Sequence, residues 1–279
     1  MKRALLPVRA LLRALCAVSM CFALGGAASA QSGKVEVLWL GQSAFRITSP
    51  GGKVIVVDPW LQANPSTPAK YKELQALGKI DVILVTHGHG DHIGDAPALA
   101  KMHSVPIRTP GDLAWTLGTL GVLPTNLLPR FNKGGVITPA PGIRVTATRA
   151  EHSSNYVWRN PTTGRDEAHP GGEPLGYLIE LENGFRIWHM GDTDVFGDMK
   201  LIAERHKPDL VLVPIGGVFT MGATDAAFAV REFIRPRYAI PMHYGANPLA
   251  TGTPKEFIDA LGTAPVKVVP LKPGEAVEF

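Results

Sequence analysis

Cysteine is nearly absent from this chain: two occur in 279 residues, and both, Cys16 and Cys21, lie within the first 30. No disulfide can form within residues 31–279, so a folded domain there must rest on an apolar core, with or without metal. Surplus charge is lacking too. Four of the 28 Lys and Arg and none of the 24 Asp and Glu precede residue 31, which leaves 24 basic against 24 acidic residues beyond it. That balance has none of the basic excess that marks nucleic-acid binders, and no nucleic-acid partner is expected. Nor does any later apolar run reach the roughly 20 residues that span a bilayer, so no stable membrane anchor is expected.

The opening segment is of a different kind. Lys2, Arg3, Arg9 and Arg13 form a positive start, Ala14 to Leu24 a short apolar stretch, and Ala28-Ser29-Ala30 a small-residue cleavage pattern. These are the three parts of a secretory signal peptide. The expectation is a signal over residues 1–30, cleavage near Ala30, and a secreted, periplasmic protein. Cys16 and Cys21 follow Leu15 and Met20 rather than a small residue, which argues against a lipoprotein signal. Residues 31–279 are then long enough for one large domain, without a linker or short repeat to divide them.

Within that domain, β-branched apolar runs alternate with helical stretches. Strands are expected at Val35–Leu40, Ala44–Thr48, Val54–Val57, Asp81–Thr86, Ile143–Thr148, Leu175–Leu181, Phe185–His189, Leu210–Pro214, Tyr238–Pro241 and Val266–Pro270. Helices are expected at Ala69–Leu77, Ala96–His103, Gly111–Leu120, Met199–His206, Thr224–Ile234 and Pro254–Leu261. Gly51-Gly52 reads as a hairpin turn. This mixed order argues for an α/β architecture of sheets covered by helices. Three long loops, Asp58–Pro68, Asn155–Pro174 and Gly216–Ala223, are candidates for function, the second as a lid.

The chemistry concentrates in Thr86-His87-Gly88-His89-Gly90-Asp91-His92, directly after a strand run. Imidazole nitrogens and carboxylate oxygens are what borderline divalent ions such as Zn²⁺ bind. Gly88 and Gly90, lacking a β-carbon, allow the backbone to turn tightly between the ligands. Further donors follow three later strand runs: His152, Asp192 and His243. If those strands run the same way, all four clusters meet at one edge, where sheet proteins commonly carry functional groups. His189 lies within a strand and reads as structural, and His103 and His206 read as surface residues of helices.

On these residues the chain resembles the metallo-β-lactamase superfamily, and more narrowly its small metal-dependent hydrolases related to ascorbate-6-phosphate lactonase. The resemblance also runs through Trp39-Leu40-Gly41-Gln42-Ser43-Ala44-Phe45, Asp58-Pro59-Trp60, Gly191-Asp192-Thr193 and Pro241-Met242-His243-Tyr244. Gln42 departs from it, standing where the group often has His, and so does Gly217-Val218, where an Asp-Asn pair is frequent. The resemblance implies an αββα four-layer sandwich and two divalent metal ions, Zn by default with Mn or Fe as alternatives. It implies that His87, His89 and His152 hold one ion, that Asp91, His92 and His243 hold the other, and that Asp192 bridges them. Asp58 would orient a ligand histidine from behind.

The expected chemistry is hydrolysis of a small-molecule ester, lactone or phosphodiester by a hydroxide activated between two metals, with Asp91 as the catalytic carboxylate. A β-lactam hydrolase is one alternative, although those enzymes usually have Cys or Ser where this chain has Asp192. A non-catalytic periplasmic metal-binding protein with a closed coordination shell is another. Oligomeric state is left open by the residues.

Overall fold

The computed structural model describes residues 33–279. The expected signal peptide, residues 1–30, lies outside the described residues. In the first half the strands are β1 (Glu36–Gly41), β2 (Ala44–Thr48), β3 (Val54–Val57), β4 (Val82–Leu84), β5 (Ile107–Pro110) and β6 (Arg130–Phe131). The helices there are α1 (Ala69–Lys72), α2 (Gly90–Ile93), α3 (Ala96–His103) and α4 (Gly111–Thr119). The second half carries β7 (Val136–Ala140), β8 (Ile143–Arg149), β9 (Asn155–Arg159), β10 (Asp166–Pro170), β11 (Leu175–Glu180) and β12 (Arg186–His189). After α5 (Asp198–His206) come β13 (Leu210–Pro214), α6 (Ala223–Phe228), β14 (Tyr238–Met242), α7 (Pro254–Leu261), β15 (Lys267–Val268) and β16 (Ala276–Glu278).

The described residues form two seven-stranded sheets, ordered β16-β1-β2-β3-β4-β5-β6 and β15-β14-β13-β12-β11-β8-β7. Side-chain alternation along each strand explains how they stack. Val37 and Trp39 of β1, Ile55 and Val57 of β3, and Val82 and Leu84 of β4 share one core with Tyr177 and Ile179 of β11 and Leu210 and Leu212 of β13. The residues between them point the other way. Leu38, Val56 and Ile83 pack against Leu99 and Ala100 of α3 and Leu113 and Leu117 of α4. On the second sheet Trp188, Val211 and Val213 pack against Met199 of α5, Ala226 of α6 and Phe257 of α7. Both faces of both sheets are buried, so their central strands read as unbroken apolar runs. The result is the αββα order, helices outside and sheets face to face.

Several boundaries differ from expectation. The helix expected over Ala69–Leu77 breaks at Glu73, whose ψ of 101° is extended, into α1 and a 3-10 turn at Leu74–Leu77. Buried Leu74 and Leu77 are three apart, a spacing that a 3-10 turn stacks on one side. The helix expected at Thr224–Ile234 starts as α6 and continues as a π-helical turn over Ala229–Ile234. The Val266–Pro270 run narrows to β15. Strands β5, β6, β7 and β16 were outside the expected set; they are short or half exposed and show no apolar run.

The loop Asn155–Pro174 is largely a hairpin, with β9 and β10 paired from Asn155↔Pro170 to Arg159↔Asp166. Its turn is organised by Asn160, whose Oδ1 accepts from the amides of Thr162 and Thr163 at 2.8 and 3.1 Å. The base is tied to α4, because the Thr116 hydroxyl donates to the Pro170 carbonyl at 2.8 Å. Among the described residues no helix is long and apolar enough to cross a membrane.

Polar contacts between the two sheets include one from a buried hydroxyl. Buried Tyr177 on β11 donates its hydroxyl to the Val85 carbonyl, just past β4, at 2.6 Å. Tyr177→Phe is expected to cost about 1 kcal/mol by removing that hydrogen bond. In a domain of this size the loss lowers the melting temperature by about 2–4 °C in calorimetry, with bound metal per chain unchanged. An unchanged melting temperature would show that the contact contributes nothing to sheet docking.

Candidate metal centre

Strand direction decides where the donors meet. β8 and β12 both run antiparallel to β11, and β12, β13 and β14 are mutually parallel. The chain therefore leaves β8, β12 and β14 at the same edge, and there it delivers His152, Asp192 and His243 in turn. The His87–His92 loop comes to the same edge from β4 of the other sheet.

Thr193 ties the loops together. Its hydroxyl accepts from the Glu151 amide at 2.9 Å, beside His152, and its carbonyl accepts from the Met221 amide at 3.0 Å. Gly88 is needed for space, since a β-carbon there would lie 2.8 Å from the Asn155 carbonyl oxygen. Gly90 is not: a β-carbon there would meet nothing within 4 Å, and its backbone is not left-handed. Gly191 has φ +67° and sits with its α-carbon against the Leu175 carbonyl, so it turns the chain sharply just before Asp192.

The seven expected donors fall into two groups whose ligating atoms lie within 4.8 Å of one another, His87, His89 and His152 in one, Asp91, His92, Asp192 and His243 in the other. In the first, His87 Nε2 lies 2.9 Å from His89 Nδ1, and both rings meet that of His152 edge-on. In the second, Asp192 Oδ2 stands 3.1 Å from His92 Nε2 and 3.0 Å from His243 Nε2. The same oxygen is 3.7 Å from His152 Nε2, so Asp192 lies between the two groups.

Behind them, Asp58 is fully buried. Its Oδ1 accepts from the Thr86 amide at 2.7 Å, and its Oδ2 accepts from the Thr86 hydroxyl at 2.8 Å. That Oδ2 also pairs with His92 Nδ1 at 2.8 Å, leaving Nε2 to point into the site. The role of Thr86 escaped the sequence reading, although the residue immediately precedes the motif; its hydroxyl also lies 3.0 Å from His87 Nδ1.

Gln42, noted as a departure from the family pattern, belongs to the site. Its amide Nε2 donates to Asp91 Oδ2 at 2.9 Å and lies 2.9 Å from His243 Nε2. Gln42, Asp58 and His243 all have left-handed backbones, with φ of 53°, 46° and 59°, a conformation that costs non-glycine residues energy and clusters at functional sites. His189 stands apart: Nε2 pairs with the Ser43 carbonyl at 2.9 Å and Nδ1 accepts from the Gly191 amide at 3.2 Å, so both ring nitrogens are engaged structurally.

The donor set fits a divalent cation. Asp192 Oδ1 is buried without a hydrogen-bond partner, a costly arrangement unless something else satisfies it. The electrostatics agree. Burial works against the Asp192 carboxylate, yet the His243 and His92 rings outweigh it and hold its pKa well below the usual range. Burial likewise opposes the His92 cation, but Asp192, Asp91 and Asp58 push it well above its ordinary value. For His243 burial is again outweighed by Asp192, and its pKa rises to about 9. His87, His89 and His152 go the other way, lowered first by burial and then by neighbouring rings. One group is thus neutral and ready to donate lone pairs, while the other holds protons that a metal must displace.

Above the donors lies a cavity of about 360 Å³, lined by Gln42, Trp60, His89, Asp91, His152, Ser153, Asp192, Phe219, His243 and Asn247. Ser153 follows His152 in a His152-Ser153-Ser154 stretch that the family resemblance shares, whereas Asn247 carried no signal of its own in the sequence.

Comparison with known proteins places this geometry. The family described as "Beta-lactamase superfamily domain" matches residues 53–244. A protein of Polaromonas sp. (strain JS666) named UPF0173 metal-dependent hydrolase is 68% identical over 248 residues, 89% of this chain and 91% of its own length. Among solved structures, the metallo hydrolase Igni18 of Ignicoccus hospitalis superposes with a TM-score of 0.75 at 30% identity, covering 88% of this chain and 98% of that one. The metallo-beta-lactamase fold protein YhfI of Bacillus subtilis does so at 0.63 and 15%, covering 88% and 100%, and speaks for the fold alone.

Two outcomes are expected. Asp58→Asn, which keeps the shape but weakens the hold on His92, should reduce metal affinity by roughly 10–100-fold in competition with a chromogenic chelator, with the fold intact by circular dichroism. An unchanged affinity would remove Asp58 from any role behind the ligands. Metal uptake by the apo-protein at neutral pH should expel protons from His92 and His243 into weakly buffered solution. Because the His243 pKa is raised to about 9, its share of the release must fall as pH climbs past that value. Release that grows above that pH would contradict the protonated state of the second group.

Proposed function

This chain belongs to the metallo-β-lactamase superfamily and is a metal-dependent hydrolase, and from that premise we propose that it opens an ester, lactone or phosphodiester of a small molecule at two divalent ions. His87, His89 and His152 would hold one ion, Asp91, His92 and His243 the other, with Asp192 shared between them. The observation that carries this is the position of Asp192 Oδ2, 3.0 to 3.7 Å from the Nε2 atoms of His243, His92 and His152. One carboxylate oxygen near three imidazoles from both groups is suited to a shared ligand. Zinc is the ion such an imidazole-rich set favours, with manganese and iron compatible with the same donors. When bound, divalent ions polarise the scissile oxygen and lower the pKa of coordinated water from about 15.7 to about 7.

The chain's own groups then divide the work. Asp91 lines the cavity with its carboxylate one-third exposed, while Gln42 fixes its Oδ2 at 2.9 Å. It orients the attacking water, takes up its proton and passes it to the leaving group. Asp58 holds His92 with Nε2 forward through the 2.8 Å contact at Nδ1. The open cavity above the donors favours catalysis over a closed binding site, because substrate has room to reach them.

We take residues 1–30 as an export signal, on the strength of their charged start, short apolar stretch and Ala28-Ser29-Ala30. Mass spectrometry of the protein from a periplasmic extract should find an amino terminus near Gln31.

The direct test is hydrolysis of a panel of lactones, aryl esters and phosphodiesters by the metal-loaded protein, with and without chelator. Asp192→Ala should lose most bound metal by elemental analysis, and with it nearly all chelator-sensitive turnover. Full activity in that variant would refute the shared-ligand assignment.

A further inference from the structure

The walls of the cavity above the donors differ in kind from its floor. Besides the proposed ligands it is lined by Gln42, Trp60, Ser153, Phe219 and Asn247, and none of the described lining residues is Lys or Arg. Neutral polar groups and two aromatic rings are therefore what a substrate meets once it extends beyond the ions. The only formal charges the lining itself contributes, histidines aside, are the carboxylates of Asp91 and Asp192.

The aromatic parts are built to stay in place. Trp60 has its amide on the Asp58 carbonyl at 2.8 Å, and its α-carbon lies close enough to Gly94 that a β-carbon there would come within 2.8 Å. Phe219 stands on the Gly216–Ala223 loop, which is closed by the Gly216↔Gly222 bridge. A second loop is tied to it, since the Gly252 amide donates to the Gly216 carbonyl at 3.1 Å. Both loops expose apolar side chains: Val218 is 74%, Phe219 45% and Leu249 57% exposed. Val218 holds this exposed position on a left-handed backbone, φ 62°. Phe219, the one of these that lines the cavity, offers an exposed aromatic face to an apolar group.

Resting on the hydrolase reading above, we propose that the substrate carries no anionic group beyond its scissile bond, and that an uncharged apolar or aromatic substituent lies along Trp60 and Phe219. A second anion, such as a remote phosphate or carboxylate held against the walls away from the ions, would be desolvated with no Lys or Arg of the lining to pair with. This places uncharged esters and lactones first, and sets sugar phosphates and carboxylate-bearing β-lactams outside the class.

Binding separates this inference from catalysis. Hexanohydroxamic acid and adipic monohydroxamic acid present the same metal-seeking head, with an apolar tail in one and a terminal carboxylate in the other. Calorimetry on the metal-loaded protein should show the first binding more tightly by roughly tenfold or more. Phe219→Lys should narrow or reverse that ratio with metal content unchanged. In parallel, 4-nitrophenyl hexanoate should be hydrolysed with a higher kcat/KM than mono-(4-nitrophenyl) adipate, again by roughly tenfold or more. Equal binding of the two hydroxamates, preference for the acid, or binding of neither overturns the inference. Preference for the apolar hydroxamate without turnover of either ester leaves the pocket assignment standing and counts against the hydrolase reading for esters.

Discussion

Gathering five imidazoles and two carboxylates at one edge of a sandwich, with His87, His92, Asp192 and His243 buried, is the constraint around which this molecule is arranged. Without a cation the arrangement is frustrated: neutral rings crowd one another in the first group, and protonated rings are needed to hold Asp192 in the second. Lone pairs face lone pairs across 2.9 Å between His87 and His89 unless a proton or an ion lies between them. Such a cluster survives only because the surrounding structure holds it, and here the core does so without help from disulfides. Three packed apolar clusters anchor the strands whose ends carry the donors.

The rigidity is continuous from core to site. β4 is buried on both faces and leads through Val85 to Thr86, which grips Asp58 through both its amide and its hydroxyl. Asp58 in turn sets the ring of His92. On the other sheet β12 leads through Gly191 to Asp192, and Thr193 pins the His152 and Met221 loops together. Left-handed backbones at Gln42, Asp58 and His243 are the local cost of aiming these side chains, met by packing elsewhere. Strain held at residues that touch the site is what a preorganised centre requires.

Much of this was legible in the residues because its signals are local. Runs buried on both faces, such as Val54–Val57 and Leu210–Pro214, are continuous apolar stretches, and their bounds agree with β3 and β13. The donors were legible because His87, His89, Asp91 and His92 share one short motif and the others follow strand ends. What escaped was set by distant partners. The β9–β10 hairpin is part-exposed along its length and β10 has no apolar run, so its pairing shows only in register. Short β5 and β6 gain their strand character from neighbours in the sheet. The break at Glu73 depends on where Leu74 and Leu77 find cover, and Thr86 has a role only because Asp58 folds beside it.

The same distinction explains why the metal site and the substrate are read from different evidence. Ligand chemistry is written in residue type, since few side chains other than His and Asp can meet a divalent ion's demands at these positions. Specificity is written in what lines the remaining space, and there an omission carries information. Two divalent ions held as proposed would carry more charge than Asp91 and Asp192, so the centre would present a positive field to the scissile group. That field stabilises negative charge as it develops at the reacting atom, the place where electrostatic preorganisation acts. A cation on the wall would draw an anionic substrate away from that point or favour its ground state. Neutral walls of Trp60, Phe219, Ser153 and Asn247 leave the field undivided, and selection among substrates then falls to shape and apolar contact.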